Sequence, residues 1–269
     1  MARPVSFNTN KKMSQLKNSI TKSPLYPAAR SVYRFFFNRG ANAHRTRMGA
    51  FYSQFFQPGD IVFDVGANQG EYSEMYAAEG GRVVALEPNT TFSPRLNALA
   101  GIYDIRPVIK AVGDVPGKAF LNVCSTPGFS TLIAPGVDWM SKSPDYKSVK
   151  WTHKLEIEVT TLDILAEEFG KPEYVKIDVE GYEINVLRGM TFNPRYVSFE
   201  FGARRKSASQ ECLDNMGARG YEFRPIVGRE YRFATQEWMS HAEASAWLLD
   251  FSIEQAEYGD MFAHRIGAG

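Results

Sequence analysis

The 269-residue chain carries 31 basic and 30 acidic side chains, a formal net charge of +1, with 44% apolar and 23% charged residues. This is the make-up of a globular protein large enough to bury a core without disulfide staples. Two cysteines, Cys124 and Cys212, exclude a disulfide scaffold and a cysteine-rich zinc module and suit a reducing compartment, and no run of about 20 apolar residues offers a membrane-spanning helix.

The chain opens MARPVSFNTNKKMSQLKN, which lacks the apolar centre of a secretory signal, so the expected location is the cytoplasm. Charge is unevenly placed: residues 1–59 hold ten Lys or Arg and no acid, while the other 210 residues carry 21 basic and 30 acidic side chains, a net of −9. Residues 1–57 read as a basic tail and helical extension. Residues 1–23 are polar, and 25–39 (LYPAARSVYRFFFNR) and 43–56 (AHRTRMGAFYSQFF) read as helices that stop before Pro58-Gly59. One reading is a cap that packs its aromatic face on the main domain. Another is a surface for a phosphorylated acceptor or for peripheral contact with anionic lipid at the inner face of a membrane. A transit peptide is a weaker third, since Arg3 is the sole arginine at the extreme N-terminus.

Residues 58–269 read as one domain of alternating strands and helices. Strands are predicted at 61–65, 82–87, 103–109, 118–123, 155–160, 174–179, 196–201, 221–227, 231–234 and 261–266. Helices are predicted at 71–79, from Asn89 to 100, at 162–169, at 180–190, from 202 to 219 and at 238–251. Residues 125–153, rich in Ser, Pro and Gly, read as a long loop whose Phe129, Trp139, Tyr146 and Trp151 either close over a ligand or anchor the loop. The alternation argues for an α/β, doubly wound, mostly parallel seven-stranded sheet, in which ligands bind at the carboxyl ends of the strands.

The residues just past each strand therefore matter most. Asp64-Val65-Gly66-Ala67-Asn68-Gln69-Gly70 leaves an apolar strand and opens a helix, offering free N–H groups and close backbone approach. A dinucleotide fingerprint needs glycine at its third and sixth positions, where this chain has Asn68 and Glu71. A nucleoside with a smaller anion fits better, and S-adenosylmethionine has that make-up. Glu87 ends the second strand 21 residues after Gly66, the place of an acid that takes both ribose hydroxyls. Asp114, in the turn after the next strand, could accept from an adenine amine, or simply form the turn. Asp178, Glu180 and Glu183 come after a further strand; capping accounts for Glu183, but Asp178 ends an apolar buried strand and needs a partner.

The runs DVGANQGEYS at 64–73, VVALEPN at 83–89, AVGDVPGKAFL at 111–121, GFSTL at 128–132, VTTLDIL at 159–165 and VKIDVEGYEINVLRGM at 175–190 resemble the FkbM-type methyltransferases in order and spacing, over about residues 58–201. The DVGAN-x-G turn marks many class I (Rossmann-like) methyltransferases, and IDVEGYE-x-x-VL-x-G is more specific. The resemblance implies S-adenosylmethionine as donor and a hydroxyl of a sugar, polyketide or similar small molecule or glycan as acceptor. It implies that Asp64, Gly66, Asn68, Gly70 and Glu87 bind the donor and that Asp178 and Glu180 face the reactive sulfonium. Ser130-Thr131 stands where the family often has two serines.

An alcohol acceptor needs a base during attack. His44, His153, His241 and His264 are scattered, so the candidates are Asp178, then Glu180, then Glu200, whose alternative is a salt bridge to Arg204 or Arg205. Such a base would need burial to raise it from near ~4. No His/Cys cluster suggests a metal. A nicotinamide oxidoreductase shares the fold class but lacks the glycine pattern. A nucleic-acid or protein methyltransferase gains from the basic N-terminus; against nucleic acid stand the acidic body and the absence of an Asn/Asp-Pro-Pro-aromatic tetrapeptide. A non-catalytic donor-binding module is the remaining alternative.

Overall fold

The computed structural model describes residues 39–126, 128–134, 140 and 149–267. Helix α1 (Arg39–Tyr52) comes first, then β1 (Ile61–Val65), α2 (Glu71–Ala78), β2 (Arg82–Leu86), a 3-10 turn (Thr90–Phe92), α3 (Ser93–Ala100) and β3 (Ile105–Val108). Three strands of a small separate sheet come next: β4 (Ala111–Val112), β5 (Gly117–Cys124) and β6 (Trp151–Thr160). The chain then returns through α4 (Leu162–Phe169), β7 (Tyr174–Ile177), α5 (Glu183–Arg188), β8 (Tyr196–Gly202), α6 (Lys206–Gly217), β9 (Tyr221–Val227), α7 (His241–Asp250) and β10 (Tyr258–Arg265).

The main sheet has seven strands in the order β3-β2-β1-β7-β8-β10-β9. Its strands run parallel from β3 to β8, and β10 lies antiparallel between β8 and β9. The order reverses beside β1, so the crevice between the tips of β1, β2 and β7 is the switch point where such sheets take ligands.

Alternation along the strands divides the core in two. Phe63, Val65, Val175, Ile177, Val197 and Phe199 point to one face and pack with Leu162, Leu187, Leu213 and Leu248 of α4 to α7. Val62, Val83, Tyr174 and Phe262 point to the other and pack with α1, α2 and α3. On that second face Tyr52, Phe55 and Phe56 are buried, and the Phe55 ring stacks on Phe262 at 4.7 Å between centroids. Met48, Phe51, Tyr52, Phe55 and Phe56 thus belong to the core of the domain. The small sheet buries Leu121, Val123 and Ile157 in a core of its own.

Several predicted elements shift. The helix expected from Glu180 begins at Glu183, because Glu180 (φ 56°) and Gly181 (φ 103°) turn left-handed. The strand expected at 231–234 is a turn: β9 already pairs with β10 on one side, and Tyr231 has a φ of 49°. The last helix starts at His241 behind a Ser240/Glu243 capping box, while Met239 bridges to Phe223. The expected 125–153 loop is shorter, since β6 begins at Trp151 and Thr131 bridges to Asn122. The tail at 1–23, nearly all of the helix expected at 25–39, and Trp139 and Tyr146 lie outside the described residues. Among the described residues no helix is long and apolar enough to cross a membrane.

Candidate functional site

The turn after β1 is built around one close approach. Gly66 has a φ of 86°, and a Cβ there would lie 1.8 Å from the carbonyl oxygen of Asp178. Only glycine allows the tips of β1 and β7 to meet in this way. Gly66 and Ala67 both donate to the Leu86 carbonyl, at 2.9 and 3.0 Å, which binds the turn to β2. Asn68, itself left-handed at φ 50°, donates its N–H to Glu87 Oε2 at 2.8 Å, and Asn89 donates to Glu87 Oε1 at 2.8 Å. Each oxygen of Glu87 holds one N–H and keeps a lone pair for a ligand. Burial pushes Glu87 up to about 7, although both N–H groups pull it down.

Asp64 and Gly70 act behind this turn. Asp64 is buried and accepts from Ser73 Oγ of α2 at 2.5 Å, and burial raises its pKa against the pull of Lys176. A Cβ on Gly70 would meet Leu99 Cδ1 at 2.7 Å and Leu96 Cδ2 at 2.9 Å, so this glycine seats the helix on α3.

The tip of β7 carries the acids. Asp178, with a third of its side chain exposed, accepts from Lys176 Nζ at 2.7 Å through Oδ2. Burial alone would raise Asp178, but the Lys176 ammonium, aided by Arg205 and Arg229, outweighs it and holds the carboxyl below the ordinary range. The expectation that burial raises this acid is therefore corrected: its neighbour is a buried cation. Glu180 sits on the left-handed turn, a strained position of a kind concentrated at functional sites. Its carbonyl accepts from Thr131 Oγ1 at 2.9 Å. Glu183 folds back to accept the N–H of Gly181 at 2.9 Å, as capping requires. Glu200 is bonded to Arg205, which also lies 3.7 Å from Glu183. Burial raises Glu200 well above the usual carboxylate value, with Arg205 opposing and Glu180 and Asp178 adding to the rise.

A crevice of about 570 Å³, mouth included, opens between these tips. Of the residues predicted from sequence, Gly66, Asn68, Glu87, Asp178 and Glu180 line it. Asp64, Gly70, Asp114 and Glu200 do not. Asp114 is exposed in a turn packed against Gly189, and its charge adds to burial in raising Tyr182, which does line the crevice. Glu200 is engaged in the ion pair that its sequence alternative foresaw. Phe129 and Trp151 do not line the crevice, and Trp151 is part of β6.

Sequence reasoning gave no role to Phe92, Lys110, Tyr182 or Lys176, and named Ser130 only within the GFSTL motif. Phe92, Leu86, Ala111, Val112 and Leu121 give the crevice apolar walls, which it combines with the acids Glu87, Asp178 and Glu180. Lys176 does not line the crevice but is 1% exposed. A lysine inside the apolar strand Tyr174-Val175-Lys176-Ile177 was the available signal, since a buried charge must be paired. Among the described residues no three His, Cys, Asp or Glu side chains are placed to hold a metal ion.

The arrangement suits a nucleoside whose base lies against apolar walls, whose sugar hydroxyls meet an acid, and whose positive centre meets more acids. The family comparison points the same way. The model of the methyltransferase FkbM domain matches residues 64–252. The hexuronic acid methyltransferase AglP of Haloferax volcanii is 30% identical over 148 residues, which cover 52% of this chain and 54% of that protein. The chain thus spans about half the length of the curated relative it matches. Among solved structures, a precorrin-6y C5,15-methyltransferase from Geobacter metallireducens overlays with a TM-score of 0.41 at 11% identity, covering 81% of this chain and 87% of that one. A TehB-like SAM-dependent methyltransferase from Corynebacterium glutamicum gives 0.41 at 10% identity, covering 89% and 99%.

Proposed function

The chain belongs to the FkbM methyltransferase family, and on that premise we propose that it transfers a methyl group to a hydroxyl of a sugar, a glycan or a similar small natural product. The donor is S-adenosylmethionine, which supplies an activated methyl group on a sulfonium centre. Membership of this family sets aside the nicotinamide oxidoreductase reading. The observation that carries the proposal is that Glu87, just past β2, and Asp178 and Glu180, just past β7 on the other side of β1, line one crevice. A sugar acceptor is supported by the relative named for its action on a hexuronic acid.

In this reading Glu87 holds the ribose hydroxyls through the lone pairs its two N–H partners leave. Gly66 and Asn68 bring backbone against the amino-acid end. Asp178 Oδ2 already accepts from Lys176, which makes it the less basic oxygen, and Oδ1 is assigned the proton of the acceptor hydroxyl. An acid held below its ordinary value is a weak base that is always ionised near neutrality. Its contribution is aim and readiness more than proton affinity. Glu180 adds negative charge beside the sulfonium. Asp64 and Gly70 support the turn from behind, and neither Asp114 nor Glu200 takes part in the transfer.

Incubation with isotopically labelled donor and a panel of sugars, uronic acids, RNA and peptides tests this. Label should appear as an O-methyl group on a saccharide. Asp178→Asn should lower turnover by about 10²–10⁴-fold, the usual worth of a positioned proton acceptor, with donor affinity nearly unchanged. Label on RNA or peptide alone, or full turnover by Asp178→Asn, would contradict the proposal.

A further inference from the structure

Four buried polar side chains interrupt the apolar face of the main sheet that packs on α1 and α2, beside the half-buried Glu200 that pairs with Asp260. They are Asp64 of β1, Lys176 of β7, Ser198 of β8 and Asp260 of β10. The register explains the alignment: Asp64 pairs with Lys176, Lys176 with Ser198, and Ser198 with Phe262, two residues from Asp260. Two of the four have ordinary structural partners. Ser73 donates to Asp64 at 2.5 Å, and Ser198 shares a 2.6 Å hydrogen bond with the Tyr174 hydroxyl. Lys176 is different. It is the largest fully buried cation of the described core, 1% exposed, with its Nζ 4.5 Å from the centre of the Tyr72 ring and 2.7 Å from Asp178 Oδ2. A buried ion pair is weak as a source of stability, because desolvation cancels most of the attraction. The placement therefore asks for another reason.

Resting on the proposed methyl transfer, we infer that Lys176 is a positioning residue of the methyl-transfer site, fixing the charge and the aim of Asp178 from beneath the crevice floor. The ammonium reaches Asp178 through Oδ2 and leaves Oδ1 for the acceptor in the crevice that Asp178 lines. Tyr72 walls the ammonium on the α2 side, where water would otherwise compete for its protons. Asp260, buried on β10, is the second acid drawn toward the same cation; burial lifts it to about 6 while Lys176 opposes the rise. The other groups acting on Asp178 come from every side. Arg205 and Arg229 add positive charge from the segments after β8 and β9. Asp64, Glu87 and Glu200 are the acids of β1, β2 and β8 coupled to it. Lys176 is the one cation in hydrogen-bond contact with Asp178 among the described residues.

The test is a carboxyl ¹³C NMR titration of the aspartates, with Asp178 assigned through Asp178→Asn, in the full chain and in Lys176→Met. Donor affinity by calorimetry and single-turnover methyl transfer are measured beside it. In the unmodified chain Asp178 should titrate below the ordinary ~3.9, and in Lys176→Met it should rise by about one pH unit or more. Donor affinity should change by less than about threefold, while methyl transfer falls by about tenfold or more, the range of a mis-aimed proton acceptor. Should Lys176→Met fail to fold by circular dichroism, Lys176→Arg keeps the charge and displaces the contact, and turnover should fall with donor affinity retained. An Asp178 that titrates at or above the ordinary value in the unmodified chain would overturn the inference. So would an unmoved titration in Lys176→Met, or donor affinity and turnover falling in proportion in the variant that folds. Absence of methyl transfer to every saccharide by the unmodified chain would sink the proposed function instead, and the titration would still decide the role of Lys176.

Discussion

Glu87 is a carboxyl group nearly sealed from water, with a backbone N–H on each oxygen. Because its pKa is raised to about 7, the folded chain binds this proton more tightly than the unfolded chain does. Glu87 therefore supports the ligand-free fold fully below the ordinary carboxylate value and loses that support as pH climbs through about 7. Donor binding has the opposite sign, since two ribose hydroxyls are best accepted by the ionised form. Calorimetry across pH 5.5 to 8.5 should show affinity rising toward about 7 and levelling above it. Glu87→Gln should flatten the curve and weaken binding by roughly 30-fold, about 2 kcal/mol for a hydrogen bond to a charged group. A pH-independent affinity in the unmodified chain would remove Glu87 from the ribose. At this scale the sequence announced the acids that end strands, Glu87 and Asp178. It did not announce that Asp64 turns inward to Ser73, nor that Asp114 points to solvent, because a strand-tip or turn acid reads the same whichever way it faces.

Among the elements, the segment 128–132 joins the small sheet to the main one. Thr131 is buried, its N–H and carbonyl are bonded to Asn122 of β5, and its hydroxyl donates to the Glu180 carbonyl. The same hydroxyl accepts the N–H of Ile133 at 3.1 Å. Of the Ser130-Thr131 pair, Thr131 thus holds the wall in place, and Ser130 lines the crevice. Thr131→Val keeps the shape and removes the tether. It should cost about 1 kcal/mol in urea unfolding, since a part-buried N–H and a part-buried carbonyl lose a partner. It should also speed amide exchange around Ile133 and Glu180 and weaken donor binding severalfold. Unchanged exchange at both places would show that the tether does not hold the wall. This contact was beyond sequence reasoning because it joins residues 49 apart through a hydroxyl. The helix start at Glu183 was missed for a related reason: nothing local reveals that Glu180 adopts a left-handed turn, which the pinned carbonyl and Gly181 allow.

Across the whole molecule, the period of the apolar pattern carried most of the information. Continuous runs such as Ile61–Val65 read as strands buried on both faces, and they are the parallel centre of the sheet. The pattern could not show that β4, β5 and β6 leave the main sheet, nor that β10 inserts between β8 and β9, because sheet order depends on contacts distant in sequence. It also left open what the basic residues 1–59 meet. From His44 on, that segment packs aromatic rings into the core against Tyr174 and Phe262. The phosphorylated-acceptor and anionic-membrane readings rest on residues that lie mostly outside those described. The molecule as a whole is a sheet whose switch point carries Glu87 just past β2 and the lysine-held Asp178 just past β7, both lining one crevice. A crystal of the chain with S-adenosylhomocysteine, the product of methyl transfer, tests this directly. The nucleoside should lie in that crevice with both ribose hydroxyls on Glu87, its base against Phe92 and its sulfur toward Asp178. Density for the nucleoside elsewhere, or an empty crevice at saturating product, would contradict it.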